Sequence, residues 1–112
     1  MITKKIGDQA EEKAKNYLIS KGFVVLEANY RFRRAEVDLI VQRDQMIVFV
    51  EVKYRANSRF GHPESFVDDK KAEMVGMAAT HYCEKQGWLG RIRFDIIAIT
   101  GSEIEHFEDA FN

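Results

Sequence analysis

The chain has 112 residues, 46% of them hydrophobic and 31% charged, with a formal net charge of −1. That size and mixture fit one soluble globular domain with its own core, and they exclude a disordered polyelectrolyte or a uniformly basic nucleic-acid coat. A lone cysteine, Cys83, allows no internal disulfide and suits a reducing cytoplasm; the opening MITKKIGDQAEE lacks the apolar core of a secretory signal, and the longest apolar run, Met46–Val50, is far too short to cross a membrane.

In chain order, Asp8–Lys21 reads as a helix, because Ala10, Ala14, Tyr17 and Leu18 recur at helical spacing and Gly22 supplies a stop. Asp8 and Glu11 also match the spacing of a capping box, which offers Glu11 a purely local role. Phe23–Tyr30 reads as a strand and Arg31–Ala35 as a basic connector. Glu36–Gln42 and Met46–Tyr54 read as the two arms of a hairpin that turns at Arg43-Asp44-Gln45. Arg55–Val67, with Gly61 and the only proline, Pro63, is a polar loop. Asp68–Gln86 is a second helix, with Val75, Ala78, Ala79 and Tyr82 facing inward and Gly87 ending it. Ile92–Ile99 is a fourth strand and Glu103–Phe107 a short edge strand. The second helix would carry the chain from the third strand to a parallel fourth, giving an α/β fold with a mixed sheet in the order helix-strand-strand-strand-helix-strand.

The hairpin carries the chemistry. With its turn centred between Asp44 and Gln45, Arg43 meets Met46, Val41 meets Val48, Leu39 meets Val50 and Val37 meets Val52 on one side. On the other side Ile40 meets Phe49, Asp38 meets Glu51 and Glu36 meets Lys53. Both sides are apolar, so the paired carboxylates sit in or beside a core and need a proton, a base or a divalent cation to neutralise them. Their hard oxygens suit Mg²⁺ or Mn²⁺, with waters and a backbone carbonyl such as that of Val52 completing the shell. An ion there would lower the pKa of an attacking water and bridge to a phosphate oxygen, while Lys53 orients or deprotonates the water or stabilises the transition state. Glu11, on the first helix, would reach the same sheet edge and hold a metal-bound water or a second ion.

Arg31, Arg33 and Arg34 come just before Asp38, and Arg55 and Arg59 come just after Lys53, forming a rim suited to a phosphate backbone. Plainer readings exist for each part: Asp38 as a turn-capping acid, Glu36–Lys53 as a cross-strand ion pair, the arginines as solvated charges, Asp95 as a structural acid and Cys83 as packing. His62, His81 and His106 share no zinc-ligand spacing.

Asp38, twelve intervening residues, then Glu51-Val52-Lys53 resembles the signature of the PD-(D/E)XK nuclease superfamily, with Val37 in place of the proline. Over nearly its full length the chain resembles the YraN-like family of small bacterial proteins, which are similar to archaeal Holliday-junction resolvases. The matching stretches are Gly7, Glu11, Ala14 and Tyr17-Leu18; Gly22-Phe23; Asn29-Tyr30-Arg31; Glu36-Val37-Asp38-Leu39-Ile40; Phe49 through Arg55; Gly61; Lys71; and Arg93-Phe94-Asp95. The resemblance implies a restriction-endonuclease-like sheet, a helix acid at Glu11, metal acids at Asp38 and Glu51, a catalytic lysine at Lys53, and Lys71 among the residues that meet DNA. The expected activity is Mg²⁺- or Mn²⁺-dependent cleavage of structured or branched DNA, most simply by a two-fold dimer. A nucleic-acid-binding module with little catalysis is the main alternative, and a protein-interaction module is a third.

Overall fold

The computed structural model describes residues 2–55 and 67–111. Arg59, Gly61, His62 and Pro63 lie outside the described residues. The elements are α1 (Ile2–Ser20), β1 (Val24–Phe32), β2 (Ala35–Arg43), β3 (Met46–Arg55), α2 (Asp69–Gln86), β4 (Arg91–Thr100) and β5 (Glu103–Phe107). They form one mixed sheet in the order β1-β2-β3-β4-β5. Neighbours are antiparallel except β3 and β4, which run parallel because α2 crosses between them. This is the α/β order expected from the sequence, with β5 as the short last strand. No helix among the described residues is long and apolar enough to span a membrane.

Alternation along the strands builds a core on each face of the sheet. Ala10, Ala14 and Leu18 of α1 pack on Leu39, Val41, Val48, Val50, Ile97 and Ile99. On the opposite face, Val75, Ala78, Ala79 and Tyr82 of α2 pack on Ile40, Ile47 and Phe49. The small alanines let both helices approach closely, and each fully buried Leu, Ile or Phe contributes on the order of 1.5–3 kcal/mol. Asp68 caps α2, its side chain accepting the Lys71 N–H at 2.8 Å. Gly87 ends α2 in the left-handed conformation (φ 67°) that glycine adopts without steric cost.

Three boundaries differ from the sequence reading. Helix α1 begins at Ile2, so Asp8 lies inside it and the capping-box role for Glu11 does not arise. Strand β1 continues through Arg31 and Phe32, reducing the basic connector to a two-residue turn, Arg33-Arg34, with Arg33 left-handed (φ 58°) and Phe32 paired with Ala35. Strand β2 also does not alternate without interruption. Ala35 and Val37 join the α2 core although Leu39 and Val41 join the α1 core, so Val37 is not on the same side as Leu39. The change of side falls at Asp38, which with Asn29 is skipped in the β1–β2 pairing; Asn29 is left-handed (φ 55°), while the register of the two strands shifts elsewhere, between Val25 and Glu27. Asparagine tolerates that conformation better than most residues.

A second cluster stands apart from the hairpin. Asp95 of β4 is fully buried and accepts both arms of the Arg93 guanidinium at 2.8 Å, the Asp109 N–H at 3.0 Å and a 2.7 Å bond with His106 Nε2. His106 Nδ1 is bonded in turn to the Tyr17 hydroxyl at 3.2 Å. The cluster ties β4, β5, α1 and the segment after β5 together, which makes Asp95 the structural acid expected from the sequence.

Candidate functional site

Between β2 and β3 the ladder follows the register read from the turn: Arg43 with Met46, Val41 with Val48, Ile40 with Phe49 and Leu39 with Val50. Beyond Leu39 the regular ladder ends, so the expected main-chain pairs Asp38–Glu51, Val37–Val52 and Glu36–Lys53 are not part of it. A side chain takes over: Asp38 Oδ2 accepts the Val52 N–H at 2.8 Å. That bond fixes the Asp38 carboxylate against β3, beside the residue that precedes Val52, which is Glu51.

Glu51 is buried and two ammonium groups meet it. Lys53 Nζ lies 3.4 Å from Glu51 Oε2, and Lys71 Nζ, from the first turn of α2, lies 3.6 Å from Glu51 Oε1. Glu51 Oε1 accepts no hydrogen bond from the described residues, although it is fully enclosed. Burial and then the neighbouring Glu51 charge push the Asp38 carboxyl up to about 7, against the opposing pull of the Val52 N–H and Lys71. Two amines thus meet Glu51 where the hairpin ladder ends, and beside it burial, reinforced by the Glu51 charge, raises the Asp38 carboxyl toward neutral pH.

The remaining sequence candidates fall into distinct places. Glu11 accepts a 3.0 Å hydrogen bond from Asn29 Nδ2, and burial raises its carboxyl above the usual range. The acids that bear on Glu11 are Asp8 and Glu36, not Asp38 or Glu51. Among the described residues no group of three or more Asp, Glu, His or Cys side chains converges closely enough to hold an ion. Glu36 pairs with Arg31 at 3.3 Å rather than with Lys53, so Lys53 is free to face Glu51.

Of the basic rim, Arg31, Arg33 and Arg34 are exposed on β1 and its turn. Arg55 is a correction: it is 7% exposed and pairs with Glu105 at 2.9 Å, holding β5 to the end of β3 instead of facing outward. Asn29 is the residue that reading by motif overlooked. Its signal was available, since an asparagine within an otherwise regular strand marks a place where the backbone leaves β geometry. Lys71 was read as a contact to DNA; its position against Glu51 depends on how α2 packs, which local spacing does not encode.

Fold and cluster together define a small mixed-sheet α/β protein with an acid pair and two lysines gathered where β2 and β3 part. The chain belongs to the uncharacterised protein family UPF0102, whose model matches residues 10–99. It is similar to the UPF0102 protein of Christiangramia forsetii, 42% identical over 110 residues that cover 95% of this chain and 92% of the relative. A UPF0102 protein of Cytophaga hutchinsonii is 42% identical over 98 residues, 88% of this chain and 87% of the relative. That of Clostridioides difficile is 41% identical over 114 residues, covering 99% of this chain and 100% of the relative.

Proposed function

We propose that the protein hydrolyses phosphodiester bonds in structured or branched DNA with the help of a divalent cation, Mg²⁺ or Mn²⁺. The observation that carries this reading is the buried, unbonded Glu51 Oε1 beside an Asp38 carboxyl pushed up to about 7. A buried anionic oxygen that accepts no hydrogen bond and has only the Lys71 ammonium at 3.6 Å is costly, and a hard cation is the partner that two carboxylates prefer. The spacing Asp38…Glu51-Val52-Lys53, which resembles the PD-(D/E)XK signature, points the same way.

Asp38, Glu51 and the Val52 carbonyl would hold the ion, which when bound lowers the pKa of an attacking water and offsets charge on the phosphoryl group. Lys53 orients that water or donates to a phosphoryl oxygen as negative charge builds there. Lys71 balances Glu51 before substrate arrives, and its ammonium then transfers to a substrate phosphate. Glu11 acts at one remove, holding Asn29, the β1 residue skipped in pairing together with Asp38. Arg31, Arg33 and Arg34 meet the DNA backbone. Cutting two strands symmetrically would need two copies of the chain.

Calorimetric titration of Mn²⁺ into the wild type and Asp38→Asn, followed by incubation of both with linear, nicked and four-way-junction DNA, tests this. The expected result is binding and cleavage by the wild type alone. Intact DNA at high protein concentration, with no heat of Mn²⁺ binding, would overturn it. One observation favours a second reading, DNA binding without cleavage: Glu51 already has two ammonium groups against it, and no third acid joins the pair among the described residues. That reading expects salt-sensitive DNA binding that survives Asp38→Asn and weakens when Arg33 or Arg34 is neutralised.

A further inference from the structure

A groove runs along the outer side of α2 opposite the β1–β2 turn. Its main hollow, about 550 Å³, has Phe32 and Arg33 on one wall and Met77, His81, Glu73 and Glu84 on the other. A second hollow of about 260 Å³ shares Phe32, Arg33 and Met77, and extends past Arg34 to Met74. Met74 is one helical turn beyond Lys71, so the groove leads toward the Glu51 end of the molecule.

The groove contains an ordered aromatic platform. The rings of Phe32 and His81 stack with centroids 4.1 Å apart and planes 20° from parallel. The Tyr30 hydroxyl bonds His81 Nδ1 at 2.7 Å, and Tyr30 packs edge-on against buried Tyr82 at 5.2 Å. His81 is therefore held in place before any ligand arrives. Met77 adds a soft apolar surface that is 44% exposed. The Arg33 guanidinium sits 5.2 Å over the Phe32 ring, and Arg33 and Arg34 place two positive charges on the rim.

Gly76 supplies the second, independent observation. A helix-interior glycine destabilises relative to alanine, and it is usually explained by a neighbour that needs the space. Here an added Cβ would meet nothing within 4 Å, so none of the described residues requires the glycine. What the missing side chain leaves is open room on the groove wall between Glu73 and Met77.

We infer that this groove receives an unpaired nucleobase of the nucleic acid whose backbone meets Asp38 and Glu51. The base stacks on His81, whose ring Phe32 backs on its other face, beside Met77 and over the space at Gly76. Its flanking phosphates lie on Arg33 and Arg34, and Glu73 and Glu84 accept hydrogen bonds from exocyclic amines. Bases within a duplex have both faces covered and cannot reach such a platform, whereas unpaired bases stack readily on aromatic side chains. At 1.5 Å per residue, His81 lies about 15 Å along α2 from Lys71, roughly four nucleotide steps of 3.4 Å. The substrate class this defines is DNA with a single-stranded stretch a few nucleotides from the bond to be cut. The inference rests on the functional reading above.

Fluorescence anisotropy with one labelled sequence tests it, presented as a single strand, a splayed-arm duplex and a blunt duplex, in low salt with EDTA so that cleavage plays no part. The single strand and splayed arm are expected to bind at least about tenfold more tightly than the blunt duplex. Gly76→Leu fills the groove and should remove most of that preference, and His81→Ala should reduce it. Gly76→Leu is expected to melt no lower than the wild type, which separates a blocked groove from an unfolded protein. Equal binding of the three DNAs, or a preference that Gly76→Leu leaves intact in a folded protein, overturns the inference. In that event metal-dependent cleavage lost in Asp38→Asn would still support the catalytic reading. A single-strand preference without any cleavage would sink the catalytic reading alone.

Discussion

Two acids on the same sheet, Asp95 fully buried and Asp38 partly so, have opposite fates. Asp95 is enclosed by Arg93, His106 and the Asp109 N–H, and although burial pushes its carboxyl up, the bonds from His106, Arg93 and Asp109 outweigh this and hold it below the usual range. Asp38 has one backbone N–H bond and a neighbouring acid, and its carboxyl rises to about 7. Burial acts on both. What differs is the company: donors surround Asp95, and another carboxylate faces Asp38. An acid whose every lone pair is met stabilises the fold, and an acid left short of positive charge costs stability unless something else binds there.

The largest effect should come from breaking the satisfied side. Asp95→Ala leaves the Arg93 guanidinium, 18% exposed, without its main partner. It should cost about 3–5 kcal/mol in urea or guanidinium unfolding. A loss well under 1 kcal/mol would mean the cluster is not a structural clamp. The opposite sign is expected at the other acid. Asp38→Asn keeps an oxygen for the Val52 N–H and removes the like-charge repulsion, so it should stabilise the metal-free protein by about 2 kcal/mol at pH 8.

The pH dependence sharpens the contrast. The folded-state value for Asp38 lies above its ordinary 3.8, so the folded protein holds this proton more tightly than the unfolded chain. The cost is present in full above pH 7 and fades as the pH falls from 7 toward 4. The stabilisation by Asp38→Asn should therefore shrink steadily below pH 7 and approach zero only near pH 4. Asp95 has the reverse sign: its contribution is complete above pH 4 and is lost as the pH falls through its depressed folded-state value. Asp95→Asn should flatten the acid limb of the unfolding profile. Parallel pH profiles for the two variants would remove the distinction.

Smaller changes bound it further. Lys71 lowers the Asp38 carboxyl, so Lys71→Met should move the Asp38 titration, followed by NMR, to a value above about 7. Arg31 is 74% exposed in its pair with Glu36, and Arg31→Ala should change stability by no more than about 0.5 kcal/mol.

The element order, the hairpin register down to Leu39–Val50 and the inward face of α2 were all legible, because period and turn length are local properties. The pair Asp38 and Glu51 was legible for the same reason, since a constant register brings neighbouring strands' acids together even where the ladder gives way. The asparagine at position 29 signalled an irregularity in β1, but the change of side between Val37 and Leu39 on β2 was not legible, because strict alternation assumes unbroken β geometry. The places of Arg55 and Lys71 were not legible for a different reason. Each owes its place to an element distant in sequence, Arg55 to Glu105 on β5 and Lys71 to the seating of α2 above Glu51. Charge beside a motif looks alike in sequence whether it faces solvent or an internal partner.

Strand β3 lies in the middle of the sheet, bonded to β2 on one flank and to β4 along its whole length on the other. Its amides should be among the last in the molecule to exchange with deuterium, released only when the entire structure opens. Glu51 and Lys53 therefore ride on the least yielding part of the protein, while Lys71 and the Arg33-Arg34 turn belong to outer parts that breathe more easily. Adaptation to differently shaped ligands would then fall to the periphery, and the spacing of the central acid and amine would persist unchanged through it.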